Sequence, residues 1–403
     1  MDILPYGFVQ TTKQHEQPIA FRSGQIFFGK VLQLDASGYA KVQLGNGNIT
    51  AKIEAPIDVS KEYWFQVIKE GDSIRLTILP EKEGKIFGGS VKQSNWFLSA
   101  IKEWGVPFDR QMISLAEKWF KETGDVKGTT EAIRWMIQDK LPFTDEIFRT
   151  VFAAVKRDPY SHLFGRLANA LSTSPNDDYG TILQLLQKLT GKKVGDSNPL
   201  ADTNWEKGED VYRAIRFLLK GIGIDAATTN SSPSLKDLLS IVLEQKGSLP
   251  KNVSKAVQSL YDRIISHQLL NKEEDPYVFI TFSIPLPLKG KSYDATFQWQ
   301  GKKGEDGKID PNFSRILFDL QMPQIGKTLI FMNVQNRMIS LQVKSEQKVM
   351  KSIVQPYVQG LQQNLEQKGY YLSSVQFEVL RNYEQIAPET FATFQPGKVD
   401  LKI

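Results

Sequence analysis

The feature that most constrains this chain is that its hydrophobic period changes twice. Residues 21–80 hold short apolar runs, "GQIFFGKVLQL", "YAKVQL", "ITAKIEA", "YWFQVI" and "SIRLTIL", broken by turn signals at "DASG" (35–38), "GNGN" (45–48) and "KEGD" (69–72). Five short strands so punctuated close most simply into a small barrel, because closure leaves no edge unpaired. Residues 81–275 carry helical spacing, and residues 276–345 return to strands. The expected fold is multidomain α+β. It comprises a small five-stranded β-barrel over 1–84, a central all-α region over 85–275, an α+β domain with an antiparallel or mixed sheet and one long helix over 276–386, and a tail over 387–403. At 403 residues the chain is long enough for each domain to bury its own core.

The helical region contains an internal echo. "VPFDRQMISLAEKWF" at 106–120 aligns without gaps on "LPFTDEIFRTVFAAV" at 141–155. Asp109 and Thr144 fall at N-cap positions, where their side-chain oxygens accept from free first-turn amides. Phe108 and Phe143 at N′, with Ile113 and Phe148 at N4, have the spacing of a hydrophobic staple. Each copy follows another amphipathic segment, which predicts two helical hairpins near 93–122 and 128–157. Further helices are expected at about 209–221, 235–246 and 252–269.

In the last region "SRILFDLQ", "KTLIFMNV" and "RMISLQVKS" read as strands, with Gln335 and Asn336 in a tight hairpin between the last two. Ile339, Leu341 and Val343 alternate with Ser340 and Gln342, as when one sheet face is buried and the other wet. A helix is predicted over about 346–368, capped by Ser345 and ended by Gly369. Met350, Ile353, Tyr357, Leu361 and Leu365 form its apolar stripe, and Pro356 interrupts it, removing one hydrogen bond. "YYLSSVQFEVL" (370–380) supplies a closing strand.

Chemistry is hard to place on this chain. There is no cysteine, so disulfides, thiolate catalysis and cysteine-ligated metal are excluded. His15, His162 and His267 have no partner at metal-ligand spacing, and there is no nucleophile elbow, phosphate loop or paired-histidine helix. "GIGIDA" (221–226) follows a helical run and reads as a helix end with Gly221 at the cap. The expectation is a protein without catalytic residues, metal or cofactor. No run of 18 apolar residues and no Sec-type leader is present, which points to a cytoplasmic protein and leaves open export through a flagellar-type channel.

The formal charge is +5, and the excess lies in residues 276–403, with 15 basic against 11 acidic side chains. That is too little to argue for nucleic acid on electrostatics alone. The barrel keeps a nucleic-acid reading open as the alternative, through Phe28, Tyr39 and Trp64 beside Lys30, Lys41 and Lys52.

With hairpin, helix and last strand in place, residues 314–380 resemble the C-terminal domain of the flagellar hook-length control protein family (FliK). That pattern has an apolar strand, a Pro with a Leu–Gly pair two residues on, alternating strands, a helix with spaced leucines, a Gly and a final strand. "LQMPQIG" supplies Pro323 and Gly326, with Ile325 in place of the usual Leu; Leu361, Leu365, Gly369 and "LSSVQFEV" follow in order. The resemblance implies a non-enzymatic regulator of type III export whose C-terminal domain docks on the cytoplasmic part of an export-gate subunit and switches substrate specificity. The packed helical middle departs from the extended, Pro-rich ruler segment of that family. The residues expected to meet the partner are Pro323, Ile325, Gly326, Met332, Met338, Pro356 and Tyr357. Methionine suits such a contact because it packs against varied surfaces.

Overall fold

The computed structural model describes residues 21–380 except 46, 54, 71–72, 80–94, 175–178, 193–197, 206, 225–231, 246–248, 289–290, 305–306, 323–325 and 349. The expected α+β organisation is present. The packing divides into two compact units, Thr12–Val155 and Lys156–Ile403.

In the first unit, strands β1 (Ile26–Leu34), β2 (Tyr39–Leu44), β3 (Gly47–Ile53), β4 (Glu62–Glu70) and β5 (Ser73–Leu79) form a closed barrel in the order β1-β2-β3-β5-β4. Closure comes from β4 pairing antiparallel with β1, and from the parallel contact of β3 with β5. The alternation in β2 is strict: Ala40, Val42 and Leu44 are buried, and Tyr39, Lys41 and Gln43 are exposed. The turn at "DASG" forms because the Asp35 carboxylate accepts from the Ser37 and Tyr39 amides, each at 2.9 Å. Gly38 there adopts a φ of 84°.

Among the described residues four helices follow in this unit: α1 (Asn95–Trp104), α2 (Arg110–Thr123), α3 (Val126–Gln138) and α4 (Asp145–Lys156). The helices fall near the expected spans 93–122 and 128–157, but the packing pairs α2 with α3, and α1 with α3, across the two expected hairpins. Asp109 accepts from the Met112 amide at 2.9 Å, and Thr144 from the Ile147 amide at 3.3 Å. The two echo copies meet each other. Trp119 of the first stacks on Phe148 of the second, with centroids 4.3 Å apart and planes 3° from parallel, while its indole N–H donates to Asp145 at 2.8 Å.

The barrel and these helices share backbone contacts, since Ile26 and Phe108 exchange both N–H···O bonds, at 2.7 and 2.9 Å. Gly105, with a φ of +59°, sits so close to Gly45 that a Cβ would overlap the Gly45 backbone. These contacts explain why the packing boundary falls after residue 155 and not at 84, where the change of hydrophobic period places it.

The second unit begins with α5 (Tyr160–Ser172), α6 (Gly180–Leu189), α7 (Gly208–Ile222), α8 (Leu235–Glu244) and α9 (Lys251–Leu270). The left-handed cap of α7 is Gly223, at φ 94°; Gly221, the expected cap, lies inside the helix. The sheet follows: β6 (Lys272–Glu274), β7 (Tyr277–Leu288), β8 (Lys291–Lys303), β9 (Ile309–Met322), β10 (Gly326–Gln335), β11 (Met338–Ser345), then α10 (Met350–Glu366) and β12 (Tyr371–Val379). β6 to β11 form an antiparallel meander. β12 returns through α10 to lie parallel to β11, which makes a mixed seven-stranded sheet in reverse sequence order. Leu163, Leu167, Leu218, Leu239 and Leu260 of the helices share one core with Ile284 of β7 and Ala295 of β8. Residue 275 is therefore not a packing boundary.

Candidate docking surface

The hairpin that carries the family-like pattern turns on Asn336 and Arg337, both in the left-handed region at φ 50° and 62°. Two such residues make the turn whose twist matches the flanking strands. Gln335 then pairs with Met338, and Met332 stands opposite Leu341. Met332 consequently shares a face with Ile339, Leu341 and Val343, whereas Met338 stands on the other face, opposite Tyr371 of β12. The two methionines do not form one contact on the sheet. Ile339 and Val343 are buried and Leu341 is half-buried, while Met338 is exposed.

Gly326 opens β10 at a φ of 67°, and a Cβ there would run into the Glu346 carboxylate, which accepts from the Lys327 amide at 3.1 Å. The left-handed conformation disfavours a side chain there, and the end of the Glu346 side chain would have to swing aside for one. Pro323 and Ile325 lie outside the described residues. Ser345 does not cap α10. It ends β11, buried, with its hydroxyl accepting from the Gln347 amide at 3.3 Å, and the helix starts at Met350.

Helix α10 carries an apolar arc roughly 140° wide at 100° per residue, running from Ile353 through Tyr357, Met350 and Leu361 to Val354, Leu365 and Val358. Only one side of this arc is covered. Met350 is buried and Val354, Val358 and Leu365 are half-buried, whereas Ile353, Tyr357 and Leu361 are 42%, 66% and 37% exposed. The exposed three lie at i, i+4 and i+8, one continuous ridge. Pro356 sits inside the helix beside this ridge and offers no N–H to residue 352. The single stripe expected from sequence is thus two ridges with different neighbours. Val354 and Val358 are the missed members, and the width of the arc was the available signal.

Gly369, at φ 77°, ends the helical run as expected, its amide donating to Glu366 at 2.9 Å. The Arg337 carbonyl accepts from the Tyr371 amide at 2.9 Å, which ties the hairpin tip to the start of β12.

No family model matches the chain. The uncharacterized protein YlqG of Bacillus subtilis (strain 168) is 27% identical over 180 residues, which is 44% of this chain and 31% of that protein. The matched stretch thus spans less than a third of the relative's length.

On the barrel, the aromatics of the nucleic-acid alternative are mostly committed to packing. Trp64 is 3% exposed, lies 5.0 Å from Phe28 and edge-on to Phe108, and Lys102 of α1 caps both Phe28 and Trp64 at 4.7 and 5.4 Å. Tyr39 alone of the three is exposed.

Of the histidines, His15 lies outside the described residues and His162 is exposed on α5. His267 is buried on α9, where its Nε2 lies 3.0 Å from the Tyr160 hydroxyl. Around it are Arg263, whose guanidinium donates to Ser283 at 3.1 Å, and Asp294, which accepts from the Tyr160 amide at 2.7 Å. Burial, reinforced by the charges of Arg263 and Arg157, holds the imidazole well below its ordinary value. Burial also pushes the Asp294 carboxyl and the Tyr160 hydroxyl up. Sequence periodicity gave no sign of this polar cluster, because its members come from α5, α9, β7 and β8. Among the described residues no His, Asp or Glu group could hold a metal ion, and no helix is long and apolar enough to cross a membrane.

Proposed function

We propose that this chain is a protein-docking regulator that uses the outer ridge of α10, Ile353, Tyr357 and Leu361, to hold a partner. The observation that carries the reading is the mismatch between the apolar arc of α10 and the part of it that is covered. Exposed aliphatic and aromatic side chains in a row cost free energy in water and recover it when a partner covers them. A helix ridge read at i, i+4 and i+8 is a standard way to seat one helix or groove against another.

The partner we propose is the cytoplasmic domain of an export-gate-like subunit, on the strength of the FliK-like pattern in residues 314–380. In this reading the chain acts in the cytoplasm and is not an enzyme. Gly326 shapes the start of the hairpin, and Pro356 leaves α10 one backbone bond short beside the contact. Titration of a purified export-gate cytoplasmic domain into the full chain tests the proposal. Saturable binding that Tyr357→Asp weakens at least about tenfold supports it; binding indifferent to that change removes α10 from the site.

A further inference from the structure

The two edges of the seven-stranded sheet are finished differently. At one edge β6 is three residues of sequence KEE and covers only Tyr277–Phe279 of β7. Beyond it β7 carries Pro285 and Pro287, which have no N–H to offer a further strand. Short length, charge and proline are the usual means of keeping an edge from pairing. The other edge is neither short nor interrupted by proline, and carries a single charge. β12 is nine residues, YLSSVQFEV, without proline or a basic residue, and among the described residues no strand pairs with its outer side.

The Leu380 amide donates to the Ser345 carbonyl at 2.8 Å, and Val343 and Ser345 stand opposite Phe377 and Val379. In a parallel ladder the direction of the amides alternates, so those of Val375, Phe377 and Val379 turn away from β11. Glu378, the only charge on the strand, is engaged within the chain by Lys344 at 3.5 Å and the Gln342 side-chain amide at 2.7 Å.

We infer that β12 pairs antiparallel with β12 of a second copy of this chain, joining two sheets into one across a two-fold axis. The second half of the strand, Val375–Val379, is self-complementary. An axis at Phe377 sets it opposite the partner's Phe377, places Val375 opposite the partner's Val379, and Glu378 opposite the partner's Gln376. No like charges meet, and an aromatic pair flanked by β-branched residues favours the register. An identical copy supplies this uncharged pattern by construction, and a two-fold contact closes, so the open edge is consumed rather than extended into a filament. The inference does not rest on the docking proposal, which uses α10.

Sedimentation equilibrium of the full chain over a range of concentrations tests it. The expected result is a mass rising from 45.7 kDa towards twice that value. Val375→Pro removes an outward donor and keeps the bonds to β11, and Val379→Lys places a charge on the edge; each is expected to shift the chain to monomer with an unchanged circular dichroism spectrum. If Val375→Pro fails to fold, Val379→Lys decides. A wild-type chain that stays at 45.7 kDa throughout, or a dimer that persists in the folded variants, overturns the inference.

Discussion

Met350 and Tyr357 belong to one apolar arc of α10 and meet opposite environments: Met350 is buried and Tyr357 projects into solvent. The first contributes to the fold and the second is left for something else. Tyr357→Asp is accordingly expected to change the stability of the free chain by no more than about 0.5 kcal/mol, measured by urea denaturation. Met350→Ala is expected to cost about 2–5 kcal/mol in the same experiment.

Gly326 makes a separate prediction. Its left-handed φ strains any side chain, and the Glu346 carboxylate above it must swing aside to admit one. Gly326→Ala should destabilise the chain by about 1–3 kcal/mol. Pairing with Glu346→Ala, which clears the space but not the conformation, should recover only part of that loss in denaturant titrations.

The buried His267 sets a pH dependence. Its folded-state affinity for a proton is lowered, so below its ordinary value of 6.5 the unfolded chain takes up a proton that the folded chain refuses. Stability therefore falls as the pH drops through that window. Asp294, raised from 3.8, works in the opposite sense, its contribution fading as the pH rises through its folded value. Calorimetric midpoints between about pH 7 and pH 5 should decline in the wild type and decline less in His267→Gln.

A fourth prediction concerns the division of the chain. Because Phe108 pairs with Ile26 and packs on Trp64, residues 12–155 should unfold cooperatively as a separate fragment, with the Trp64 indole N–H resonance, assigned by a Trp64→Phe variant, protected from solvent exchange. Residues 1–84 alone lack α1 and Phe108, and should show a red-shifted, solvent-exposed Trp64.

What was legible in the sequence was what local chemistry fixes. Asp35 and Gly38 mark a turn, Asp109 and Thr144 mark helix starts, and the strand runs between turns predict a barrel. What pairing decides was not legible. Met332 and Met338 are six residues apart and would share a face in one strand, but a two-residue turn sets Met332 against Leu341 and so separates them. Helical periodicity gives each helix an apolar face without saying what that face packs on. Residues 81–275 therefore read as one region although α1 to α4 belong with the barrel and α5 to α9 with the sheet. The α10 stripe was visible, but its two ridges become distinct only once the sheet covers one of them.

Hydrogen–deuterium exchange of the full chain with and without a purified export-gate cytoplasmic domain tests the central claim most directly. The account predicts that the added domain slows exchange in Met350–Glu366 and leaves the barrel amides of residues 26–79 unchanged. Slowed exchange in the barrel alone, or no change anywhere at saturating concentrations of the domain, would contradict it.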